Sequence, residues 1–316
     1  MKVDFLFVIP VYNDWESVQQ LQANIEQKIP VDKQLLFLLV NDSSEQEITN
    51  DEYVSLRSET LILELSRNMG HQKSIATGLS YANEHLQATY IVVMDSDGED
   101  RPEDILQLVL RSQSVNGIVF AQRSKRSEGF LFQLFYKLYK LIFTLLTGKS
   151  ISFGNFCLIP EKYLRKIVHV PDIWNHFSGG VIRSGVPYAA VATARGKRYH
   201  GESKMNFTRL ILHGLSAVSV YADFMAIRLI LFSFFLIAVT VTGIVAVALV
   251  RLFTELAIPG WATFTVLGLG IILFLALLLG LFLLFNVLSM KTQKNIIPAK
   301  DYQDYVFDIK KIIANG

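Results

Sequence analysis

Two runs in the last third of the chain carry no charged side chain: residues 229–250 and residues 262–290, of 22 and 29 residues. At about 1.5 Å of rise per residue the shorter run makes a helix about 33 Å long, which matches a bilayer's hydrocarbon core. The longer run must tilt or project beyond it. Both exceed the roughly 18 consecutive apolar residues at which a membrane span is the better reading than a buried core helix. A two-helix membrane anchor is therefore expected. The link at 251–260 holds one Arg and one Glu, while Arg209, Arg228, Lys291, Lys294, Lys300, Lys310 and Lys311 lie outside the pair. The positive-inside rule then puts both chain ends in the cytoplasm and the link on the far side. The first ten residues resemble a strand and not a secretory leader.

Residues 1–122 alternate short apolar runs (3–9, 35–40, 61–65, 90–94 and 117–121) with longer polar–apolar stretches at 15–27, 70–84 and 102–112. Continuous apolar strands alternating with helices imply an α/β domain with a mostly parallel sheet covered on both faces. Such sheets bind ligands beyond the carboxyl ends of their strands. Three of these ends are polar: Pro10-Val11-Tyr12-Asn13-Asp14, Asn41-Asp42-Ser43-Ser44 and Asp95-Ser96-Asp97-Gly98-Glu99. They converge on one crevice if the sheet forms.

Asp95 and Asp97 stand one residue apart at the end of a buried strand and repel each other unless something positive lies between them. Hard oxygen ligands suit magnesium or manganese, and such an ion keeps positions for water and a substrate diphosphate. A strand-end turn that faces solvent and caps the helix opening near Pro102 accounts for the same pair. One cysteine, Cys157, permits no internal disulfide and fits a reducing compartment. A net charge of +2 with scattered basic residues gives no reason to expect nucleic acid.

Residues 130–147 place Gln133, Lys137, Lys140, Thr144 and Thr147 at spacings of 4, 3, 4 and 3, a narrow polar stripe on an apolar helix. Two lysines near the middle make a poor span and suit a helix lying in the membrane interface. An amphipathic core helix is the alternative. Residues 208–224 repeat the pattern with Arg209, His213, Ser216 and Asp223.

Taken in order, Val-Ile-Pro-Val-Tyr-Asn-Asp (8–14), Val-Asn-Asp-Ser-Ser (40–44), Arg-Asn-Met-Gly-His-Gln (67–72), Asp-Ser-Asp-Gly-Glu-Asp (95–100) and Arg198 through Gly201-Glu202-Ser203-Lys204 resemble inverting glycosyltransferase family 2. The polyprenyl-phosphate branch is the nearest in kind, and the resemblance covers nearly the whole chain. It implies a GT-A-type nucleotide-diphospho-sugar transferase domain, interface helices and two C-terminal transmembrane helices. It also implies that Pro10, Tyr12, Asp14, Val40, Asp42 and Arg67 form the nucleotide pocket, with Asp95 and Ser96 along ribose and diphosphate. Asp95, Asp97 and Glu99 would hold Mg2+ or Mn2+. Arg123 would meet the donor or the acceptor phosphate and Arg198, Ser203 and Lys204 the acceptor phosphate, with Asp97, Arg198 and Lys204 as the catalytic set. Two departures stand out: Glu99, where the family often has Gln, and Cys157, where relatives frequently have Arg.

The resemblance further implies the activity: inverting transfer of a hexose from a UDP-linked sugar to polyprenyl phosphate at the cytoplasmic membrane face, by a homo-oligomer. A glycolipid hydroxyl as acceptor and a non-catalytic membrane scaffold are the alternatives. The expected organisation is a catalytic domain at 1–128, an acceptor-side segment at 129–226, an anchor at 227–290 and a cytoplasmic tail at 291–316.

Overall fold

The computed structural model describes residues 2–46, 57–123, 144–145, 147–148, 154–200, 216, 218–254, 260–293 and 295–312. These fall into two compact units, one from residues within 1–133, 151–220 and 295–316, the other from 134–150 and 221–294.

The first unit is built on an eight-stranded sheet. Its strands are β1 (Val3–Val11), β2 (Leu35–Asn41), β3 (Glu59–Leu65), β4 (Ala88–Val93), β5 (Ile118–Arg123), β6 (Cys157–Pro160), β7 (Tyr188–Thr193) and β8 (Val306–Ile312). Their spatial order is β7-β5-β6-β4-β1-β2-β3-β8. β1 pairs in parallel with β2 and β4, β2 with β3, and β5 with β7; β6 and β8 run against their neighbours. This is the mostly parallel sheet expected.

All seven residues of β2 are buried, because both faces of the sheet are covered. Alternate residues feed two cores. Phe5, Phe7, Ile9, Phe37 and Leu39 meet Trp15, Val18, Leu21 and Ile25 of α1 (Trp15–Lys28) and Ile105 and Leu108 of α3 (Ile105–Val115). Leu6, Val8, Leu38 and Val40 face the other way, onto Ile75, Ala76 and Leu79 of α2 (His71–His85). That second core also takes in Leu164 and Ile167 of α4 (Glu161–Val168) and Phe177 of α5 (Phe177–Arg183). At Gly78, α2 lies against the sheet so closely that a Cβ would sit 2.6 Å from Val40 and 2.8 Å from Val8.

Three strands lie outside the expected set. β6 has four residues, β7 alternates exposed and half-buried positions, and β8 is a charged edge strand. β8 pairs antiparallel with β3, and Lys310 and Lys311 reach Glu64 and Glu59 at 3.3 and 3.0 Å. A boundary at 128 separates β6 and β7 from the β4 and β5 strands they pair with, and residues 295–312 of the expected tail belong to the sheet unit. The reason is that backbone pairing, and not hydrophobic run length, recruits these segments. Lysines on an edge are how sheets keep such strands soluble.

The second unit consists mainly of α6 (Ala222–Phe253) and α7 (Trp261–Thr292), each 32 residues long. Ala226, Ser233, Thr240 and Val247 are buried at intervals of seven, the seam of a close helix pair. Ser233 donates its hydroxyl to the Ala276 carbonyl, and Gly280 gives it room. Elsewhere Phe, Leu and Ile side chains point outward; only 17% and 6% of the most apolar windows are buried. Core helices of a soluble protein would show the reverse. The interface helix expected over 130–147 lies outside the described residues except for Thr144, Leu145 and Thr147.

Candidate active site

The acidic run Asp95–Asp100 follows β4 directly, where the buried strand ends and its chain turns outward. The turn is held by its own acids: the Asp95 amide donates to Asp100 Oδ2 at 2.9 Å and the Glu99 amide to Asp97 Oδ1 at 2.9 Å. Gly98 takes φ +83°, and a Cβ there would lie 2.5 Å from the Tyr199 ring. Glycine is thus required both for the turn and for the close approach.

A segment from the far end of the unit crosses this turn. The Gly196 amide donates to the Glu99 carbonyl at 2.8 Å and the Tyr199 amide to the Asp97 carbonyl at 3.0 Å. Arg198 Nη2 donates to Asp97 Oδ2 at 2.6 Å and stands 3.8 Å from Glu99, while Arg195 Nη2 donates to Glu99 Oε1 at 2.6 Å. Asn24 of α1 donates to the Tyr199 hydroxyl at 2.8 Å, so the segment is also tied to the helix side.

Charge crowding shows in the ionisation of the acids. Burial pushes the Asp97 carboxyl up, Asp95 and Glu99 add to the shift, and the Glu99 amide and Arg198 oppose it. His71, the first residue of α2, places Nε2 3.0 Å from Asp95 Oδ1. Desolvation works against its charged form, yet Asp95, Asp100 and Asp42 outweigh this and its pKa is raised.

The other strand ends converge as expected. Asp14, just before α1, lies 3.5 Å from the Ser96 hydroxyl. Asp42 follows β2 and accepts from the Met69 and Gly70 amides at 2.7 and 2.9 Å. Burial raises its pKa against those two bonds. Its carboxylate thus fixes the turn between β3 and α2, which carries exposed Arg67. Pro10 and Val40 are buried register partners, and Tyr12 is 40% exposed beside them. Arg123 ends β5, on the same sheet, and Ser203 and Lys204 lie outside the described residues.

Asp95, Asp97 and Glu99 fit a hard divalent cation in the kind of donor they offer; burial is the main cause of the raised Asp97 carboxyl, and the charges of Asp95 and Glu99 add to it. In this arrangement no three described acidic, histidine or cysteine side chains gather around one point, since Arg198 and Arg195 stand against Asp97 and Glu99. Arg195 and Tyr199 were not among the expected site residues. Arg195 is separated from Arg198 only by Gly196 and Lys197, and nothing in that basic run tells which side chain faces the acids. Cys157 is fully buried on β6, paired with Val93, and burial raises its thiol well above the ordinary range. It is a small core side chain there.

Known proteins match this frame. A relative from Bacillus subtilis (strain 168), named uncharacterized glycosyltransferase YkcC, is 27% identical over 293 residues, covering 88% of each chain. The undecaprenyl-phosphate 4-deoxy-4-formamido-L-arabinose transferase of Proteus mirabilis (strain HI4320) is 26% identical over 219 residues, 65% of this chain and 63% of that one. The crystal structure of glucosyl-3-phosphoglycerate synthase from Mycobacterium tuberculosis with Mn2+, UDP-glucose and phosphoglyceric acid overlaps 71% of this chain and 80% of its own, at a TM-score of 0.46 and 9% identity. The family model of glycosyl transferase family 2 spans residues 6–178, from β1 through the acidic turn to α5. With more than half of its length inside that model, the chain is a member of glycosyl transferase family 2.

Proposed function

We propose that this glycosyltransferase moves a hexose from a UDP-linked sugar to a polyprenyl phosphate, with inversion, at the cytoplasmic face of a membrane. The observation that carries the reading is the meeting of the acidic turn with Arg198 and Arg195, in a chain that also holds two long outward-apolar helices. A relative named for transfer to undecaprenyl phosphate supports the acceptor.

Tyr12, Asp14 and Asp42 with Arg67 bind the nucleoside, and Ser96 and Asp95 line ribose and diphosphate. Asp97, with Asp95 beside it and Glu99 adding charge from the same turn, would hold Mg2+ or Mn2+, which when bound would supply Lewis acidity at the departing diphosphate. Arg198, joined by Arg123, Ser203 and Lys204, orients the lipid phosphate, whose oxygen attacks the anomeric carbon as the bond to UDP breaks. A phosphate is already ionised at neutral pH, so no general base is needed, and none of Asp14, His71 or Asp100 has to take a proton.

Connectivity supports the membrane arrangement. Two helices long and apolar enough to span a bilayer would return the chain to the side it left. Both chain ends then share the side of the active site, and the basic residues flanking the pair make that side cytoplasmic.

The test is transfer of label from UDP-glucose, UDP-galactose, UDP-N-acetylglucosamine or GDP-mannose to undecaprenyl phosphate with Mg2+ or Mn2+. Label in an acid-labile, alkali-stable lipid supports the reading. Label only in a glycolipid assigns a hydroxyl acceptor instead, and no metal-dependent transfer from any donor refutes it.

A further inference from the structure

Glu99 is a demanding place for a charge: only 8% of the residue is exposed. A buried carboxylate beside two others needs a counter-charge. Arg195 supplies one from 96 residues away, at 2.6 Å, and the adjacent Gly196 amide binds the Glu99 carbonyl at 2.8 Å. An Arg–Glu pair at this distance carries no net charge. Arg198, in contrast, is aimed at Asp97 and lies 3.8 Å from Glu99. Arg195 is the nearer counter-charge of Glu99 and Arg198 that of Asp97, with a longer Arg198–Glu99 ion pair beside them.

We propose that Arg195 is a positioning residue for the cation-binding turn. It cancels the charge that Glu99 brings, so that the Arg195–Glu99 pair as a unit sets cation affinity, and Glu99 is not simply one more ligand. The inference rests on the reading of Asp97 as the cation's holder. Removing the guanidinium alone leaves an extra negative charge facing the cation and tightens it. Removing the carboxylate alone leaves an extra positive charge beside Asp97 and weakens it. Removing both restores the balance.

The experiment is a titration of the full-length, detergent-solubilised protein with Mn2+ alone, followed by electron paramagnetic resonance of the free ion. For Arg195→Gln the dissociation constant should fall about tenfold, for Glu99→Gln it should rise about tenfold, and the double variant should return to within about twofold of the unsubstituted protein. If Arg195→Gln leaves affinity unchanged while Glu99→Gln and the double variant are equally weak, Glu99 is an ordinary ligand and the proposal is overturned. Asp97→Asn separates the two layers. If it binds Mn2+ as the unsubstituted protein does, the reading of Asp97 fails; if it abolishes binding but Arg195→Gln leaves the affinity unchanged, only the role of Arg195 fails.

Discussion

Arg198 and Asp97 lie 101 residues apart in the chain and 2.6 Å apart in space, with side chains 26% and 14% exposed. A charge-assisted hydrogen bond this well shielded holds the crossing segment on the acidic turn. It also stores the arginine that an acceptor phosphate would use beside the acid that a cation would use.

Arg198→Lys keeps the charge but loses the planar fork, and should lower kcat/KM for the lipid acceptor by about tenfold to a hundredfold. Arg198→Ala should lower it further. Steady-state kinetics with varied lipid phosphate check this. Equal activity of Lys and Arg at this position would show that only charge matters.

Gly98→Ala places a methyl group where the Tyr199 ring lies and forces a left-handed residue to carry a Cβ. The backbone cost is on the order of 1–3 kcal/mol, and the 194–200 segment must lift from the turn. Trypsin should cleave after Lys197 faster than in the parent, while the sheet core keeps its protection in hydrogen exchange. Unchanged cleavage would mean that the ring moves and the segment stays.

His71 should titrate above its ordinary value of about 6.5 in the metal-free protein, since Asp95 with Asp100 and Asp42 outweighs desolvation. The folded state then holds the proton more tightly than the unfolded one. The resulting stability is complete below about pH 6.5 and is lost as pH rises through the raised value. In Asp95→Asn the leading opposing charge and its hydrogen bond are gone, and the imidazole should titrate lower than in the parent. Histidine ring resonances followed by NMR against pH read both shifts; a His71 value unmoved by Asp95→Asn would contradict the pairing.

Tyr302, just before β8, donates to Glu84 Oε2 at 2.7 Å and stands 3.0 Å from His85 Nε2, tying the C-terminal strand to α2. Burial, then the bond to Glu84, pushes its phenol up to about 12. Because the folded state keeps this proton where an unfolded tyrosine loses it, the contribution is present below about pH 10 and disappears as pH rises through 12. Tyr302→Phe should cost about 1 kcal/mol at neutral pH, read as a shift in the urea midpoint of the sheet unit.

The two long helices, the five central strands and the three acidic strand ends were legible because each depends on local pattern. An apolar run long enough for a bilayer, or a buried β-branched stretch ending in carboxylates, carries its meaning within about 30 residues. β8 was not legible: its Val306-Phe307-Asp308-Ile309-Lys310-Lys311 reads as a polar tail until β3 offers an edge to pair with. Edge strands take their shape from a partner's backbone, and their own residues are chosen for solvent.

The same division runs through the site. The residue types of the acidic turn, and the glycine at its centre, announce a place where charge is gathered, and sequence alone determines that along with the family and the apolar anchor. Which cations answer that charge was decided only in three dimensions. Arg198 is marked by the motif it opens, but nothing along the chain sets Arg195 apart from Lys197, and Asp42 looks like any other acid of the crevice. Folding sets Arg195 on Glu99, Arg198 on Asp97, His71 on Asp95 and Asp42 on the amides of Met69 and Gly70. The physical reason is that ion pairs form by distance and burial, and residues about a hundred positions apart acquire both only when the sheet brings their loops to one edge.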